Sequence, residues 1–381
     1  MPELSRSRLV HRTVCLLAGL PLVVAAQDDA ALVARARAIH DRVLTLDTHV
    51  DINPAHFGRE APNYVSGVAR NQVDLPKMEA GGLDAAFLIV YVGQARTIDS
   101  TTMAAAYAAA MEKFAAIHRL TDTLAPSRVG LARTAAEARA IAASGRKVIF
   151  IGIENGFPVG TDLRRIKQFA DLGGRYLSLA HNGHSQLSDS NTGERDGIWL
   201  HDGLSPLGRE AVAELNRQGV MIDISHPSKA SMLQTIALTQ APIIASHSGV
   251  RAICNHSRNL DDEQLRAMQR NGGVVQLVAF NSYVKCGPSS NGARATVRDF
   301  VDHIDYTVKL IGIDHVGISS DFDGGGGVEG WRDASETFNV TLELVRRGYT
   351  EAQIAKIWGG NLLRVLDEVQ QVSARLQRQA R

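Results

Sequence analysis

Side chains of the types that bind metals or move protons recur at the ends of apolar segments in this sequence. The first two, His49 and Asp51, close the run that begins at Thr45. Residues at positions i and i+2 of a strand point to the same face, so this pair could reach one ion together. Later apolar runs end in a similar way, at Glu154, His181, His226, His247 and Asp321. The recurrence predicts a metal-dependent hydrolytic site assembled from several strand ends.

The expected metal ligands are His49, Asp51, Glu154, His226 and His247. Zinc is bound by neutral imidazole nitrogens and by carboxylate oxygens, and hydrolytic centres often hold two ions bridged by a carboxylate and a hydroxide. Each residue alone has a plainer interpretation, as a structural histidine or, for Asp51, as a turn cap. The joint pattern favours ligands, because active sites in barrels are built from several strands.

His181 and Asp321 lie outside this ligand set and are expected to have other roles. His181 could hydrogen-bond the oxyanion that forms when a carbonyl is attacked. Asp321 could carry a proton from the nucleophilic water to the leaving group, or it could serve as a sixth ligand. Asp323 is interpreted as a turn residue before a run of glycines over 324–327, which allows a sharp turn or a close backbone approach.

Eight β-like segments, alternating with helical patterns, must position these residues. The segments cover 45–51, 85–92, 148–154, 176–182, 220–226, 243–248, 274–280 and 315–321. Continuous apolar strands separated by helices predict an α/β fold with a parallel sheet, and eight of them predict closure into a (β/α)8 TIM-type barrel. An open doubly wound sheet is the alternative, but its first strand would normally be followed by a glycine-rich phosphate loop, which is absent from residues 52–56.

Composition and charge exclude several classes of function. The chain of 381 residues holds 41 Lys and Arg against 40 Asp and Glu, so its charge does not favour nucleic acid or an anionic membrane surface as a partner. An apolar content of 45% with 34 Gly is typical of a large core and many tight turns. No break in composition divides residues 27–381, which are therefore expected to form one barrel domain with a helical C-terminal tail.

Residues 1–26 have the pattern of a secretory signal peptide. A basic segment that ends near Arg12 precedes an apolar stretch over 14–24, and Ala25 and Ala26 offer a cleavage site. The apolar stretch is short for a membrane span, so cleavage is favoured over an anchor. The sequence thus predicts an exported protein, periplasmic or secreted, with no stable membrane anchor.

Several motifs together resemble those of the membrane dipeptidase (renal dipeptidase) family of zinc metallopeptidases, in a bacterial exported form. The resemblance covers essentially the whole mature chain. It rests on Asp-Thr-His-Val-Asp at 47–51, Gly-Ile-Glu-Asn-Gly at 152–156, Arg-Tyr-Leu-Ser-Leu-Ala-His at 175–181, Asp-Ile-Ser-His at 223–226, Ser-His-Ser at 246–248, Ser-Arg-Asn-Leu at 257–260 and Asp-Phe-Asp-Gly at 321–324. Any one of these motifs alone would not identify the family, whereas the whole set is specific to it.

The resemblance implies a dipeptidase with two zinc ions per subunit. His49 and Asp51 would hold one zinc, His226 and His247 the other, and Glu154 would bridge the two. A hydroxide that bridges the metals would attack the peptide bond of dipeptides with a free C-terminal carboxylate. The C-terminal residue of the substrate could be L or D, since the family often tolerates D residues there.

The resemblance also assigns roles in substrate binding and proton transfer. The proton carrier of the family falls on Asp321, its substrate-carbonyl histidine on His181, and its substrate-carboxylate arginine on Arg258. A planar guanidinium suits a carboxylate, because the two groups pair in a bidentate manner. Tyr283 would line the substrate site. Relatives commonly form dimers, so a homodimer is an expectation.

Two cysteines remain after the predicted cleavage, Cys254 and Cys286. An even pair in an oxidising compartment favours a disulfide. Free thiols or soft metal ligands are the alternative, which is disfavoured because neither cysteine stands in a CxxC spacing. The pair also falls where mammalian members of the resembled family have a disulfide.

Other functions remain to be weighed against this one. The family usually has an aromatic residue near 52–56 and an Asn-Thr-Pro-Trp-like segment near 182–186, and this chain has neither, so side-chain preference cannot be transferred. A different barrel metallohydrolase, such as a lactonase or an amidase, would often carry His-x-His on strand one or a lysine on strand four. A non-catalytic exported zinc- or solute-binding protein would not need Asp321 and His181.

Overall fold

The structure of this chain, a computed structural model, describes residues 20–286 and 292–379. Residues 1–19, which form most of the predicted signal peptide, lie outside the described residues, so the signal peptide stays a prediction. No helix in the described ranges combines the length and the apolar composition that crossing a membrane would require.

Ten parallel strands make up the sheet of the described chain, and eight of them form a continuous path in the order β1-β2-β4-β5-β6-β7-β9-β10. The short strands β3 and β8, which the sequence patterns miss, pair with β4 and β7. The bounds are β1 Leu46–Asp51, β2 Ala85–Tyr91, β3 Val129–Leu131, β4 Lys147–Glu154, β5 Gly174–Ser178, β6 Met221–Asp223, β7 Ile244–Val250, β8 Asn259–Leu260, β9 Val274–Val278 and β10 Val316–Ser319.

The path of eight strands closes nearly into a barrel. Beyond β10, the backbone N–H of Asp51 donates to the carbonyl of Phe322 at 2.9 Å, and Val50 forms a parallel bridge with Phe322. Lower down, the Thr48 hydroxyl donates to the Ile318 carbonyl at 3.0 Å. The first and last strands are therefore neighbours, which confirms the predicted (β/α)8 barrel.

A helix or a helical segment follows each strand of the barrel path. The α-helices are α1 Leu20–His40, α2 Leu75–Gly81, α3 Ser100–Arg119, α4 Ala135–Ala143, α5 Arg164–Asp171, α6 Gly193–Asp196, α7 Pro206–Gln218, α8 Lys229–Leu238, α9 Asp262–Asn271, α10 Asn281–Val284, α11 Val297–Ile311, α12 Phe338–Arg346, α13 Glu351–Ala355 and α14 Asn361–Gln379. The predicted helix over 206–218 has the bounds of α7, which begins with Pro206 after the cap Ser205. The sequence patterns miss α8, because its segment has no charged face to mark a helical period.

An apolar filling closes the amino-terminal end of the barrel. Phe87 and Phe150 stack with ring centroids 4.6 Å apart, and Tyr176 stacks on Phe87 at 5.3 Å. Leu362 and Leu366 of α14 pack into the same buried cluster as residues at the starts of the strands. The amino-terminal half of the barrel interior is thus filled by apolar side chains, and the carboxyl ends of the strands remain available for a site.

Three of the strands that were expected to carry site residues end earlier than the sequence patterns predict. β5 stops at Ser178, β6 at Asp223 and β10 at Ser319, so His181, His226 and Asp321 lie in the following loops rather than in strands. After β6, the Asp223 carboxylate accepts the Ser225 N–H at 3.1 Å and turns the backbone. After β10, Asp321 has a φ of 59°, which no strand accommodates.

Candidate metal centre

The predicted site residues converge on one pocket at the carboxyl ends of the strands. Its volume is about 320 Å³, and it is lined by Asp51, Tyr91, Glu154, His181, Asn182, His226, His247, Arg258, Phe280, Tyr283, Asp321, Asp323 and Gly324. His49 lies beneath this lining and is fully buried. The barrel therefore brings together every candidate ligand and every candidate substrate residue that the sequence identifies.

Glu154 stands between two groups of potential ligands. On one side, its Oε2 lies 3.4 Å from His49 Nε2, which in turn lies 3.5 Å from Asp51 Oδ2. On the other side, its Oε1 lies 2.9 Å from His226 Nε2 and 3.3 Å from His247 Nε2. The two carboxylate oxygens thus face different sets, which is the arrangement that a bridging ligand requires.

Tyr176 fixes the ring of His49 from inside the barrel. The tyrosine hydroxyl lies 3.2 Å from the Thr48 carbonyl, to which it donates, and 2.9 Å from His49 Nδ1, from which it can accept. The proton then sits on Nδ1 and the lone pair on Nε2 faces the cluster. Gly152 makes this possible, because a Cβ at that position would overlap the ring of Tyr176.

His226 and His247 are oriented by similar partners. His226 Nδ1 lies 3.1 Å from Asn182 Oδ1, and His247 Nδ1 lies 2.8 Å from Ser246 Oγ. Ser246 donates its own proton to Asp223 Oδ2 at 2.7 Å, so it accepts from the histidine. In both rings Nε2 is left to face Glu154, as metal-binding histidines are oriented by acceptors behind them.

The donor atoms of this cluster fit a divalent metal. His49 Nε2 is buried and has no hydrogen-bond partner within the described residues. The Nε2 atoms of His226 and His247 are 3.0 Å apart, and two lone pairs so close repel each other unless a cation or a proton lies between them. Three sets of ligand atoms from this cluster lie within 4.8 Å of one another: His49, Glu154 and His247; Glu154, His181 and His226; and His49, Asp51 and Asp321. Nitrogen and carboxylate donors in this number are those that zinc prefers.

The charge states of the cluster agree with metal binding. Burial lowers the pKa of His226 and of His247 well below the usual value, which keeps both rings neutral as ligands must be. Burial alone would raise the pKa of Glu154, but His49 and His181 hold it well below its usual range. Burial likewise opposes a charge on His49, yet Glu154 and Asp51 raise its pKa well above the usual value. A bound cation would take the place of that proton.

Asp321 approaches the cluster without joining the five expected ligands. Its Oδ1 lies 3.9 Å from His49 Nε2, and burial, with the nearby carboxylates of Asp51 and Glu154, raises its pKa to about 8. A carboxyl group with a pKa near neutrality can both accept and return a proton. Its φ of 59° is a conformation that costs an L residue about 1 kcal/mol or more, so the surrounding structure must enforce it.

His181 and Arg258 face the cluster from the opposite side of the pocket. His181 Nε2 lies 3.6 Å from Glu154 Oε1, and burial lowers the pKa of this ring. The guanidinium of Arg258 is buried, donates to the carbonyls of Ser225 and His247, and lies 3.0 Å from His226 Nε2 and 5.5 Å from the ring centre of Tyr283. No carboxylate of the described chain lies within ion-pairing distance of it. A buried cation without a counter-ion suits an anionic ligand group.

A disulfide braces the loop that carries Arg258 against the segment that follows α10, the helix that carries Tyr283. Cys254 and Cys286 are joined as the sequence predicts, with Cα atoms 5.4 Å apart. The Asn259 side-chain amide donates to the carbonyls of Cys254 and Tyr283, each at 2.8 Å. These contacts hold the wall of the pocket that contains Tyr283 against the segment that contains Arg258.

The sequence patterns miss several residues that shape the site. Tyr176 lies in a predicted apolar strand, but its pairing with Gly152 on the adjacent strand, which lets its side chain cross the interior, depends on a register that no local pattern specifies. Tyr91 closes β2, and its ring lies 4.7 Å from that of His181. Phe280 stacks on Tyr283 at 4.3 Å and lines the pocket. Neither aromatic residue carries a signal that separates it from core positions.

Several known proteins have sequences similar to that of this chain. A sequence model described as Membrane dipeptidase (Peptidase family M19) matches residues 33–380. Dipeptidase aclJ of Aspergillus oryzae is 35% identical over 311 residues, which cover 80% of this chain and 72% of that protein. Dipeptidase tcpJ of Claviceps purpurea is 34% identical over 305 residues, which cover 79% and 70% of the two chains.

Solved structures of peptidases are also similar to the structure of this chain. The probable dipeptidase PvdM from Pseudomonas aeruginosa superposes with a TM-score of 0.83 and 32% identity, covering 90% of this chain and 99% of that one. A metallo peptidase from Rhodobacter sphaeroides, liganded with a phosphinate mimic of the dipeptide L-Ala-D-Ala, superposes with a TM-score of 0.76 and 26% identity. That match covers 86% of this chain and 99% of the other. The range 33–380 contains every residue of the pocket described above.

Proposed function

Because this chain belongs to the membrane dipeptidase family, peptidase family M19, and is a hydrolase acting on dipeptides, we propose that it is a binuclear zinc dipeptidase. The observation that carries the proposal is the position of Glu154, whose two oxygens face His49 on one side and His226 and His247 on the other. A carboxylate in that position can bind two ions at once.

The residues divide between two metal positions. His49 and Asp51 would hold one zinc ion and His226 and His247 the other, with Glu154 shared. Zinc bound in such a centre lowers the pKa of water so that a nucleophile is available near neutral pH. The orientation of each histidine by a partner behind its ring supports this assignment.

Three other side chains act on the dipeptide. Arg258 binds the C-terminal carboxylate, for which its buried guanidinium is available. His181 donates a hydrogen bond to the substrate oxygen on which negative charge develops. Asp321 takes a proton from the attacking water and returns it to the departing amine, a role that its position 3.9 Å from His49 Nε2 supports.

The substrates are dipeptides with a free C-terminal carboxylate, of either configuration in the C-terminal residue. A pocket of about 320 Å³ is of a size that takes a small ligand such as a dipeptide. The Rhodobacter sphaeroides metallo peptidase was crystallised with a mimic of a dipeptide that ends in D-Ala, which supports tolerance of D residues here.

Metal analysis of the purified protein, combined with a screen of L,L-, L,D- and glycine-containing dipeptides, tests the function. We expect two zinc ions per chain and hydrolysis that stops when the C-terminal carboxylate is blocked as an amide. Glu154→Gln should lower the binding of both ions together. Loss of a single ion would argue against a bridge, and equal rates for acid and amide would reject the role of Arg258.

The location and assembly of the enzyme are further proposals. The pattern of residues 1–26 supports export, with cleavage after Ala26. N-terminal sequencing of protein recovered from the periplasm or medium should begin at Gln27, whereas an intact Met1 would reject cleavage. A homodimer is expected because relatives commonly form dimers. Light scattering of the mature protein would distinguish a monomer from a dimer.

A further inference from the structure

Two carboxylates follow strand β10, and the proposed chemistry uses only the first, Asp321. The second, Asp323, reaches the pocket lining, but its oxygens are occupied by the backbone between β1 and α2. Its Oδ1 accepts the N–H of Gln72 at 2.7 Å, and its Oδ2 accepts the N–H of Val73 at 3.1 Å. This carboxylate therefore holds a second segment of chain in place.

Gln72 makes the reciprocal contacts. Its Oε1 accepts the backbone N–H of Asp323 at 2.7 Å, and its Nε2 donates to the carbonyls of Gly326 at 2.9 Å and Arg332 at 2.7 Å. We refer to these contacts, with the two from Asp323, as the Gln72–Asp323 clamp. The clamp joins segments about 250 residues apart in sequence and fixes both ends of the glycine-rich turn.

Asp321 depends on its neighbours for its position. Among the described residues, no donor forms a hydrogen bond with its carboxylate, so the backbone alone directs the side chain. On its N-terminal side, the N–H of Ser320 donates to Asp47 Oδ1 at 2.9 Å. On its C-terminal side, the Phe322 carbonyl accepts from Asp51, and the clamp then holds Asp323. Both Asp321 and Asp323 have left-handed φ angles, of 59° and 60°.

The glycine run is packed against the same carboxylates. A Cβ on Gly324 would overlap Asp321 Oδ1 and Asp51 Oδ2, and a Cβ on Gly326 would overlap the Ser320 carbonyl. A small shift of this turn would therefore move the carboxylate of Asp321 relative to the metal ligands. The turn has to be held rigidly for the carboxylate to stay in place.

We propose that the Gln72–Asp323 clamp is a positioning device that holds Asp321 at the distance and angle needed for proton transfer. The inference rests on the proposed function, in which Asp321 carries the proton to the leaving amine. Gln72 and Asp323 are accordingly positioning residues, which touch neither the metals nor the reacting atoms.

Asp323→Asn and Gln72→Ala test the clamp in the full-length, zinc-loaded enzyme. Asp323→Asn presents an amide group to a backbone N–H that needs an acceptor, and Gln72→Ala removes three hydrogen bonds. For each variant we expect kcat for glycyl-alanine to fall on the order of 100-fold, while KM and zinc content stay near their wild-type values. If Asp323→Asn does not fold, Gln72→Ala carries the test.

Comparing substrates with different leaving groups distinguishes a positioning role of the clamp from a general loss of structure. An amine must gain a proton to depart, whereas the oxygen of an ester departs with far less need of one. With Asp321 displaced, the variants should lose much more activity toward glycyl-alanine than toward its ester analogue glycyl-lactate. Asp321→Asn should show the same preference, and a uniform loss on both substrates would overturn the proposal.

Asp333→Asn is the matched control, because the Asp333 side chain also caps a backbone turn in this loop, by accepting the Ser335 N–H, and is not one of the hydrogen-bond partners in the clamp. It should retain wild-type kcat on both substrates.

Loss of zinc from Asp323→Asn would indicate that Asp323 is a metal ligand and would overturn the positioning role. Unchanged turnover by the two clamp variants would overturn the clamp alone, whereas a wild-type protein that hydrolyses no dipeptide would overturn the proposed function and the clamp with it.

Discussion

Asp321 is the side chain whose chemistry is most distinct from that of its neighbours. It is nearly buried, its pKa is raised to about 8 by burial and by adjacent carboxylates, and it belongs to a motif that also supplies the glycine turn. The three histidines proposed as metal ligands are held by partners behind their rings, whereas the Asp321 carboxylate accepts no hydrogen bond from the described residues. Such a group is free to exchange a proton with the substrate.

Asp321→Asn should therefore abolish turnover without disturbing the metals. The amide has nearly the same shape but cannot carry a proton, so we expect kcat for a dipeptide to fall by about 100-fold or more. Zinc content, measured by metal analysis, should stay near normal. Asp314→Asn, which alters a surface carboxylate that pairs with Lys356, is the control. A large loss of zinc would instead identify Asp321 as a sixth ligand.

Tyr176→Phe should weaken metal binding from a distance. The change keeps the ring that stacks on Phe87 but removes the hydroxyl that fixes His49. Partners of this kind typically contribute about 10–100-fold to metal affinity, so competition with a chelator should show a loss of that order. Tyr306→Phe, whose hydroxyl donates to Asp262 on the outer helices, should bind zinc normally. Equal affinities for wild type and Tyr176→Phe would contradict the orienting role.

At the scale of elements, the positions of the strands could be predicted from the sequence, but the residues at which several strands end could not. The segments that form β1, β2, β4 and β7 were predicted within a few residues, because each is a continuous apolar run. His181, His226 and Asp321 were placed on strands and lie on loops instead. The Asp223 carboxylate that turns the backbone after β6 also accepts the Ser246 N–H of β7, and no local pattern contains such a contact between distant segments.

His303 ties three elements together and makes their packing depend on pH. Its Nδ1 accepts the Val250 N–H at the end of β7 at 3.0 Å, and its Nε2 donates to the Val284 carbonyl of α10 at 3.0 Å. Burial lowers the pKa of this ring from 6.5. Below pH 6.5 the unfolded chain takes up a proton that the folded ring resists. The stability contributed by neutral His303 is therefore present above that pH and is lost as the pH falls through the lowered folded pKa.

Urea unfolding of wild type and His303→Gln across pH 5 to 8 measures this contribution. We expect the variant to be less stable at pH 8, and the difference between the two proteins to shrink below pH 6.5 by at most about 1.4 kcal/mol per pH unit. Effects of metal release at low pH are common to both proteins and cancel in the difference. A gap that stays constant with pH would mean that His303 titrates normally.

At the scale of the whole molecule, the barrel gathers the candidate site residues at the carboxyl ends of its strands and a buried apolar cluster at their amino-terminal ends. The fold class could be predicted, and so could the convergence of the candidate ligands on one pocket, because both depend on residue types repeated at strand ends. The contributions of Gln72, Tyr91 and Tyr176 could not, because each depends on closure of the barrel, which brings distant segments together. The helical tail was predicted as an addition to the barrel, and the structure places α14 in its buried amino-terminal filling.

Leu366→Ala tests the contribution of α14. The side chain is fully buried in the cluster that fills the amino-terminal end, so the truncation should lower the free energy of unfolding by about 2–5 kcal/mol. Leu238→Ala, at a leucine that is 43% exposed, should change it by no more than about 0.5 kcal/mol. Chemical denaturation gives both values, and similar small losses would mean that α14 packs only loosely.

Tyr176 belongs to the apolar filling and to the metal centre at once, and this has a practical consequence for engineering the enzyme. Attempts to raise its thermal tolerance by repacking the interior around Phe87 and Phe150 would shift the ring whose hydroxyl holds His49. Heat resistance and retention of the proposed zinc ions are therefore not independent targets in this barrel. A library of interior variants would have to be screened for metal binding as well as for melting temperature.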